Sequence, residues 1–259
     1  MRLNSNAEPN NSLSSYILKT AGAIMTVDSI TIKMSGRIFN SVDIISRYID
    51  IILAAKERGG MRLAIVTGGG DTARRYIEAG RQLSLSEAAN DMLGIGGASR
   101  LNALLLIYAI NARGGGTVHP RVVTSLEEAG EAWLDSGLVV MGGLQPGQST
   151  TMVSTLVSEY LGGIRKILNC ANVDGLYESD PAKDPKAKKI RRATIDEAEK
   201  ILERSAEVVA GTYELIDRWA LSIMKRSGIS MQIIDGRSPE MLEAALSGRD
   251  DVGSIIVPW

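Results

Sequence analysis

The run Arg62–Thr67 is apolar at four successive positions and passes without a break into Gly68-Gly69-Gly70. A strand with one wet face alternates polar and apolar residues; one that is apolar throughout must be covered on both faces, which requires helices above and below the sheet. Similar short apolar runs recur at Ser29–Met34, ending on Ser35-Gly36, and at Leu138–Met141, ending on Gly142-Gly143. Further runs follow at 166–170, Ser230–Asp235 and Ser254–Val257.

Segments with helical spacing separate these strands. They cover residues 42–58, stopped by Gly59-Gly60, then 72–79 with Asp71 as the expected N-cap, 99–111 and 149–160. A Thr-x-x-Glu capping box (Thr194, Glu197) opens a helix over 194–202, followed by helices over 215–227 and Pro239–Leu246. The alternation predicts an α/β fold, a three-layer αβα sandwich around a mainly parallel sheet. Residues 1–27, rich in Asn and Ser, read as a flexible arm, and 28–259 as one domain with a loose division near residue 150.

Composition narrows the partners. Twenty-nine basic residues stand against 30 acidic ones, which leaves no basic surplus to hold nucleic acid. No apolar run in the sequence approaches a membrane span, and Lys19 interrupts the apolar stretch that a signal peptide would need. The single cysteine, Cys170, has no partner for an internal disulfide and lies in an apolar run, so it reads as buried filler in a reducing compartment. A cytoplasmic protein is expected.

The chemistry concentrates at the strand ends. Glycine loops let backbone N–H groups converge on an anion, and a following helix adds the positive end of its dipole. One such loop is commonly only a turn; three at equivalent strand ends fit a row of phosphates, at the edge where open α/β sheets bind ligands. Neither Gly-x-x-x-x-Gly-Lys-Ser/Thr nor a strand-borne Gly-x-Gly-x-x-Gly occurs, which argues against a P-loop enzyme and a dinucleotide oxidoreductase. Lys33 stands at the end of the first strand. A strand-end lysine alone usually reaches into solvent, but beside Ser35-Gly36 and Arg37 it is placed to neutralise a phosphoryl group in transfer. Arg74 lies one helical turn past the triple glycine, where a guanidinium can fork onto phosphate oxygens; its neighbour Arg75 reads as a solvated face. His119, the one histidine, precedes a proline in a loop and receives no catalytic role. No His/Cys/carboxylate cluster marks a protein-ligated metal.

These residues resemble a known family. Lys33-Met34-Ser35-Gly36-Arg37 and Thr67-Gly68-Gly69-Gly70-Asp71-Thr72-Ala73-Arg74 are similar to the opening motifs of the amino-acid-kinase fold. The segment Gly142-Gly143-Leu144-Gln145-Pro146-Gly147-Gln148-Ser149 resembles the acceptor loop of archaeal UMP kinases. Asn172-Val173-Asp174-Gly175-Leu176-Tyr177 with Asp180-Pro181 resembles the family's ATP-side loop, and Ala210-Gly211-Thr212-Tyr213-Glu214-Leu215 again matches the archaeal branch. The likeness runs from about residue 28 to the C-terminus in the right order.

The resemblance implies a kinase that moves the ATP γ-phosphoryl group to UMP, in pyrimidine nucleotide biosynthesis, with Mg²⁺ carried on the phosphates. It implies that Lys33, Met34, Ser35, Gly36 and Arg37 contact the donor phosphates together with Gly70 and Arg74, and that Lys33, Arg37 and Arg74 are catalytic. Asn172, Asp174, Tyr177 and Asp180 would line the ATP nucleoside site, with Asp174 orienting a lysine or the metal-bound phosphates. Gly69, Asp91 and the stretch Met141-Gly142-Gly143-Leu144-Gln145-Pro146-Gly147 would hold UMP. A homohexamer built from dimers and feedback by UTP at the UMP site are further implications. Two departures stand out: Ala171 replaces a common Thr before Asn-Val-Asp-Gly, and Gly96-Gly97 makes the stretch before Ala98-Ser99-Arg100 one residue longer than usual. Two other readings remain open: a kinase of a carboxylate or carbamate, and a storage or regulatory relative that binds ATP without turnover.

Overall fold

The computed structural model describes residues 19–20, 23–24, 28–114, 116–179, 181, 184–206 and 216–259. Asp180, the motif at 210–215 and most of the expected arm lie outside them; within the arm, Lys19–Thr20 (β1) and Ala23–Ile24 (β2) pair antiparallel.

Seven strands form the main sheet among the described residues, in the order β5-β4-β3-β6-β10-β11-β9. The first five are parallel: Leu138–Met141 (β5), Arg62–Thr67 (β4), Ser29–Met34 (β3), Lys166–Ala171 (β6) and Ser230–Asp235 (β10). Ser254–Val257 (β11) runs antiparallel to β10, and Arg192–Thr194 (β9) parallel to β11. Leu176–Tyr177 (β7) and Lys189–Ile190 (β8) form a small separate hairpin.

Because successive side chains point to opposite faces, each apolar strand feeds two cores. Leu63 and Ile65 of β4 join Leu138 and Val140 of β5 and Leu168 and Cys170 of β6 in one cluster. That cluster packs under Val42–Gly59 (α1), Arg100–Ala112 (α4) and Pro239–Leu246 (α9). The intervening residues Ala64, Val66, Val139 and Met141 face Leu126–Ser136 (α5) and Thr150–Leu161 (α6). Ile167, Met231 and Ile233 face Ile195–Ala206 (α7) and Arg218–Ser227 (α8). This is the expected three-layer sandwich, and the double coverage explains the uninterrupted apolar strands.

The chain from Glu87 to Ala112 is one helical rod: Glu87–Asp91 (α3), a π-helical stretch Met92–Ser99, and α4. The rod is 26 residues long and its most apolar 18-residue stretch has mean hydropathy 1.5, enough by length and composition to cross a membrane. This corrects the expectation that no stretch reaches that length. Its packing is that of a domain helix: Ala103, Leu106, Ile107 and Ile110 are in the sheet's core, and Asp91, Ser99, Arg100 and Asn102 hydrogen-bond loops at the strand ends.

Two helix expectations also change. Gly70–Gln82 (α2) starts two residues earlier than expected and is capped by Gly69 with no side-chain hydrogen bond, so Asp71 lies inside the first turn instead of capping it. Helix α5 was not anticipated: it carries Gly130 in its interior and buries only Ala129, Ala132 and Trp133, too sparse an apolar face to register as periodicity. The Thr194–Glu197 capping box forms as expected, with Glu197 N donating to Thr194 Oγ1 (3.2 Å) and Thr194 N to Glu197 Oε2 (2.7 Å).

Candidate active site

The register aligns the ends of the parallel strands. Met34 is opposite both Thr67 and Cys170, Val66 is opposite Met141, and Ala171 is opposite Asp235. Strand order reverses direction between β3 and β6, the topological switch point where an open sheet leaves a crevice. A side-chain hydrogen bond crosses it: Ser35 Oγ donates to Asn172 Oδ1 at 2.7 Å. The backbone follows, with Ser35 N donating to Cys170 O (2.9 Å) and Gly236 N to Ala171 O (2.7 Å).

The first two glycine loops interlock. Gly68 N donates to Met34 O at 2.8 Å. A Cβ on Gly36 would lie 2.5 Å from Gly70 Cα, and one on Gly70 would lie 2.5 Å from the carbonyl carbon of Gly36. Gly70 also has φ 62°, a conformation that side chains disfavour. The third loop is gripped by the rod, with Gly143 N donating to Ser99 Oγ (2.8 Å) and Gly147 N to Asp91 Oδ2 (2.9 Å).

Lys33 shares the face of β3 with Thr31, whose hydroxyl accepts from Ser158 Oγ at 2.7 Å. Its neighbour across the ladder is Asn169, a buried side chain whose Oδ1 has no hydrogen-bond partner. Lys33 is half-buried, and desolvation pulls its ammonium down to about 8. It forms no ion pair among the described residues. An ammonium desolvated this way gains most when an anion arrives. Beneath the loops, Tyr48 of α1 is fully buried and donates to Gly236 O (3.1 Å). Cys170 is also fully buried, and burial pushes its thiol up to about 12, which fits filler and excludes a thiolate nucleophile.

Arg37 and Arg74 converge on Asp71. Arg74 Nη2 lies 2.8 Å and Arg37 Nε 3.4 Å from its Oδ1, while Asn40 Nδ2 donates to its Oδ2 at 2.8 Å. The hydrogen bond from Arg74, then that from Asn40, holds the Asp71 carboxyl below its usual range. Both guanidiniums are half-exposed at the mouth of the crevice. On the β6 side, Asp174 accepts from Tyr177 Oη (2.7 Å) and pairs with Lys189 Nζ (2.9 Å). Burial opposes ionisation of Asp174, but these two partners prevail and keep its carboxyl low; the same bond raises Tyr177 to about 12.

The expected residues are therefore brought together along one edge of the sheet. Ser35, Gly36 and Gly70 meet at the centre beside Lys33; Gly69, Asp91, Gly142, Gly143 and Gly147 lie together on the β4–β5 side; Asn172, Asp174 and Tyr177 lie on the β6 side. Leu144 is half-buried, and Gln145 and Pro146 are exposed on the third loop. Met34 and Met141 are fully buried, so only their backbones border the edge. Sequence reasoning missed Asp71 as an arginine clamp, Tyr48 under the loops, and Ser99 and Arg100 on the rod. Asp71 carried a signal, since an aspartate three residues before Arg74 on a helix can reach it.

The chain matches the model of the amino acid kinase family over residues 29–235. It is 45% identical over 219 residues to a protein named uridylate kinase from Pyrobaculum calidifontis, covering 85% of this chain and 95% of the relative. It is 41% identical over 231 residues to one of that name from Sulfolobus acidocaldarius, covering 88% and 99%. The crystal structure of uridylate kinase from Archaeoglobus fulgidus superposes with a TM-score of 0.77 at 33% identity, over 88% of this chain and 99% of that one. A UMP kinase from Bacillus anthracis, 20% identical, shares the fold with a TM-score of 0.73 over 89% of this chain and 96% of that one. Sequence and architecture agree: this chain belongs to the amino acid kinase family, on the branch that holds the archaeal uridylate kinases.

Proposed function

We propose that this chain is a UMP kinase that transfers the γ-phosphoryl group of ATP to UMP, yielding UDP and ADP. The observation that carries the reading is Lys33: a desolvated ammonium without an ion pair among the described residues, beside two interlocked glycine loops at the switch point. The 41–45% identity to uridylate kinases supplies the acceptor.

The mechanism follows from the chemistry of the groups. A phosphate oxygen of UMP attacks the γ-phosphorus as the bond to the β,γ-bridging oxygen breaks and ADP leaves. The attacking oxygen is already ionised, so no general base is needed and catalysis is positioning plus charge neutralisation. Lys33 faces the transferred group; the amides of Gly36 and Gly70 cradle the donor phosphates; Arg37 and Arg74 exchange Asp71 for phosphate oxygens. This donor set fits a triphosphate, and a Mg²⁺ carried on it would neutralise further charge. Asn172, Asp174, Tyr177 and Asp180 hold the ATP nucleoside, and Gly69, Asp91 and residues 141–147 hold UMP, so the acceptor-binding part is about 28–150, which also faces the donor phosphates, and the ATP-binding part about 151–259.

The finer expectations complete the reading: a cytoplasmic enzyme of pyrimidine nucleotide biosynthesis, inhibited by UTP and assembled as a homohexamer. The exposed stripe Leu101, Leu105 and Tyr108, at i, i+4 and i+7 on α4, supports association. ADP release from Mg-ATP with UMP, CMP, AMP, aspartate, acetylglutamate and carbamate in turn tests the assignment. Turnover with UMP is expected. Turnover only with a carboxylate or carbamate, or ATP binding with none, would overturn it in favour of an acyl-phosphate kinase or a storage protein.

A further inference from the structure

Three side chains of one helical rod hold the third glycine loop. Asp91 accepts from Gly147 N at 2.9 Å. Ser99, fully buried, accepts from Gly143 N at 2.8 Å and donates its own hydroxyl hydrogen to Ile95 O. Arg100 forks onto two successive carbonyls, with Nε donating to Gly143 O and Nη2 to Leu144 O, both at 3.2 Å. The Ile95 side chain fills the space where a Gly143 side chain would stand. Thr67, at the end of β4, donates to Ser99 O at 2.8 Å and ties this grip to the second glycine loop.

An ordinary helix could not place these groups together. At roughly 100° per residue, Asp91 and Arg100, nine positions apart, would point about 180° away from each other. A π-helix turns at about 82° per residue, so nine positions return to within roughly 20° of the start. The π-helical stretch Met92–Ser99 lies between the two residues and holds Gly96-Gly97. The wide turn thus puts Asp91, Ser99 and Arg100 on the same side of the rod.

We propose that Ser99 and Arg100 are positioning residues for the nucleoside-monophosphate acceptor, acting through the loop 142–147, and that the π turn sets the register that lets them do so. Their effect on kinetics rests on the UMP kinase reading; their grip on the loop does not. Ser99 fixes the direction of the Gly143 amide, and Arg100 fixes the two carbonyls that follow, so the loop meets its ligand already shaped.

Hydrogen–deuterium exchange on the unliganded full-length protein, paired with steady-state kinetics, tests this in Arg100→Ala, Arg100→Lys, Ser99→Ala and Ser99→Thr. In Arg100→Ala and Ser99→Ala, peptides spanning 142–148 should exchange about tenfold faster while those of β4 stay unchanged, the size expected for losing one or two hydrogen bonds. Ser99→Thr should restore the parent rate and Arg100→Lys only part of it. The KM for UMP should rise about tenfold, with that for ATP within about twofold of the parent. Unchanged exchange across 142–148, or an equal rise in both KM values, overturns the proposal. If the parent protein does not turn over UMP, the functional reading fails and the exchange data alone decide whether the grip exists.

Discussion

Gly36 and Gly70 press together through their backbones, each occupying the space a side chain on the other would need. The contact fixes the spacing between the loop after β3 and the start of α2. Gly70→Ala places a Cβ in that contact at φ 62°, so both crowding and backbone strain act. It should cost about 1–3 kcal/mol and reduce turnover at least about a hundredfold. Gly60 provides the control, since it has φ 61° but open space around it. Gly60→Ala should cost only about 1 kcal/mol and leave turnover intact. Denaturant unfolding and initial rates on both variants make the comparison; equal losses of activity would dissolve the role of the contact.

Lys33 gives the site a basic limb. Its ammonium is charged at neutral pH and loses its proton as pH rises through about 8. The value of kcat/KM for ATP, which reports the free enzyme, should fall above that pH, and the limb in kcat should lie higher because bound phosphates favour the charged form. Stability has the opposite sign: the unfolded chain keeps this proton up to about 10.4, so folding becomes more favourable as pH rises from about 8 to that value. Lys33→Ala should flatten the limb and lower turnover far more than it weakens UMP binding. An unchanged turnover number would remove Lys33 from the mechanism.

Asp71 holds Arg37 and Arg74 without anchoring the fold. All three side chains are about half-exposed, and such pairs contribute roughly 0–1 kcal/mol. In Asp71→Asn the melting temperature should hardly move. ADP should bind about threefold tighter at low salt, because a carboxylate that competes for both guanidiniums is gone and Coulomb attraction is less screened there. Calorimetric titration at two ionic strengths distinguishes this from a variant that merely loosens the loop, which would bind ADP more weakly.

The stripe on α4 predicts an assembly surface. Leu105→Glu puts a charge at its centre, where Leu101 and Tyr108 flank it one turn away on either side. Light scattering should find a smaller particle than the parent, with secondary structure unchanged. A parent protein that is already monomeric would sink the hexamer.

The sheet and the line of loops at its end were legible because buried strands must be apolar and anion sites need glycine, both strong local signals. Helix α5 was not, since Gly130 and a run of glutamates dilute its buried face. The role of Asp71 was misread because an Asp at the start of a helix is usually a cap; here Gly69 takes that position, and the carboxylate answers to Arg37, which is 34 residues away in sequence. Tyr48 was equally invisible, its partner Gly236 lying 188 residues on. The Gly96-Gly97 pair was visible as a departure from the resembled motif, but the widening of the helix over Met92–Ser99 carried no signal in the sequence.

That widening gives the rod a slip joint. In a uniform helix, adding a residue rotates everything downstream by roughly 100°, which is why insertions within core helices are seldom tolerated. The wide turn changes that rotation locally, leaving Asp91 on one side and Arg100 on the other facing the same loop. The turn thus works as a gearing between the two halves of the rod: each keeps its own packing, and both keep their footing on one loop.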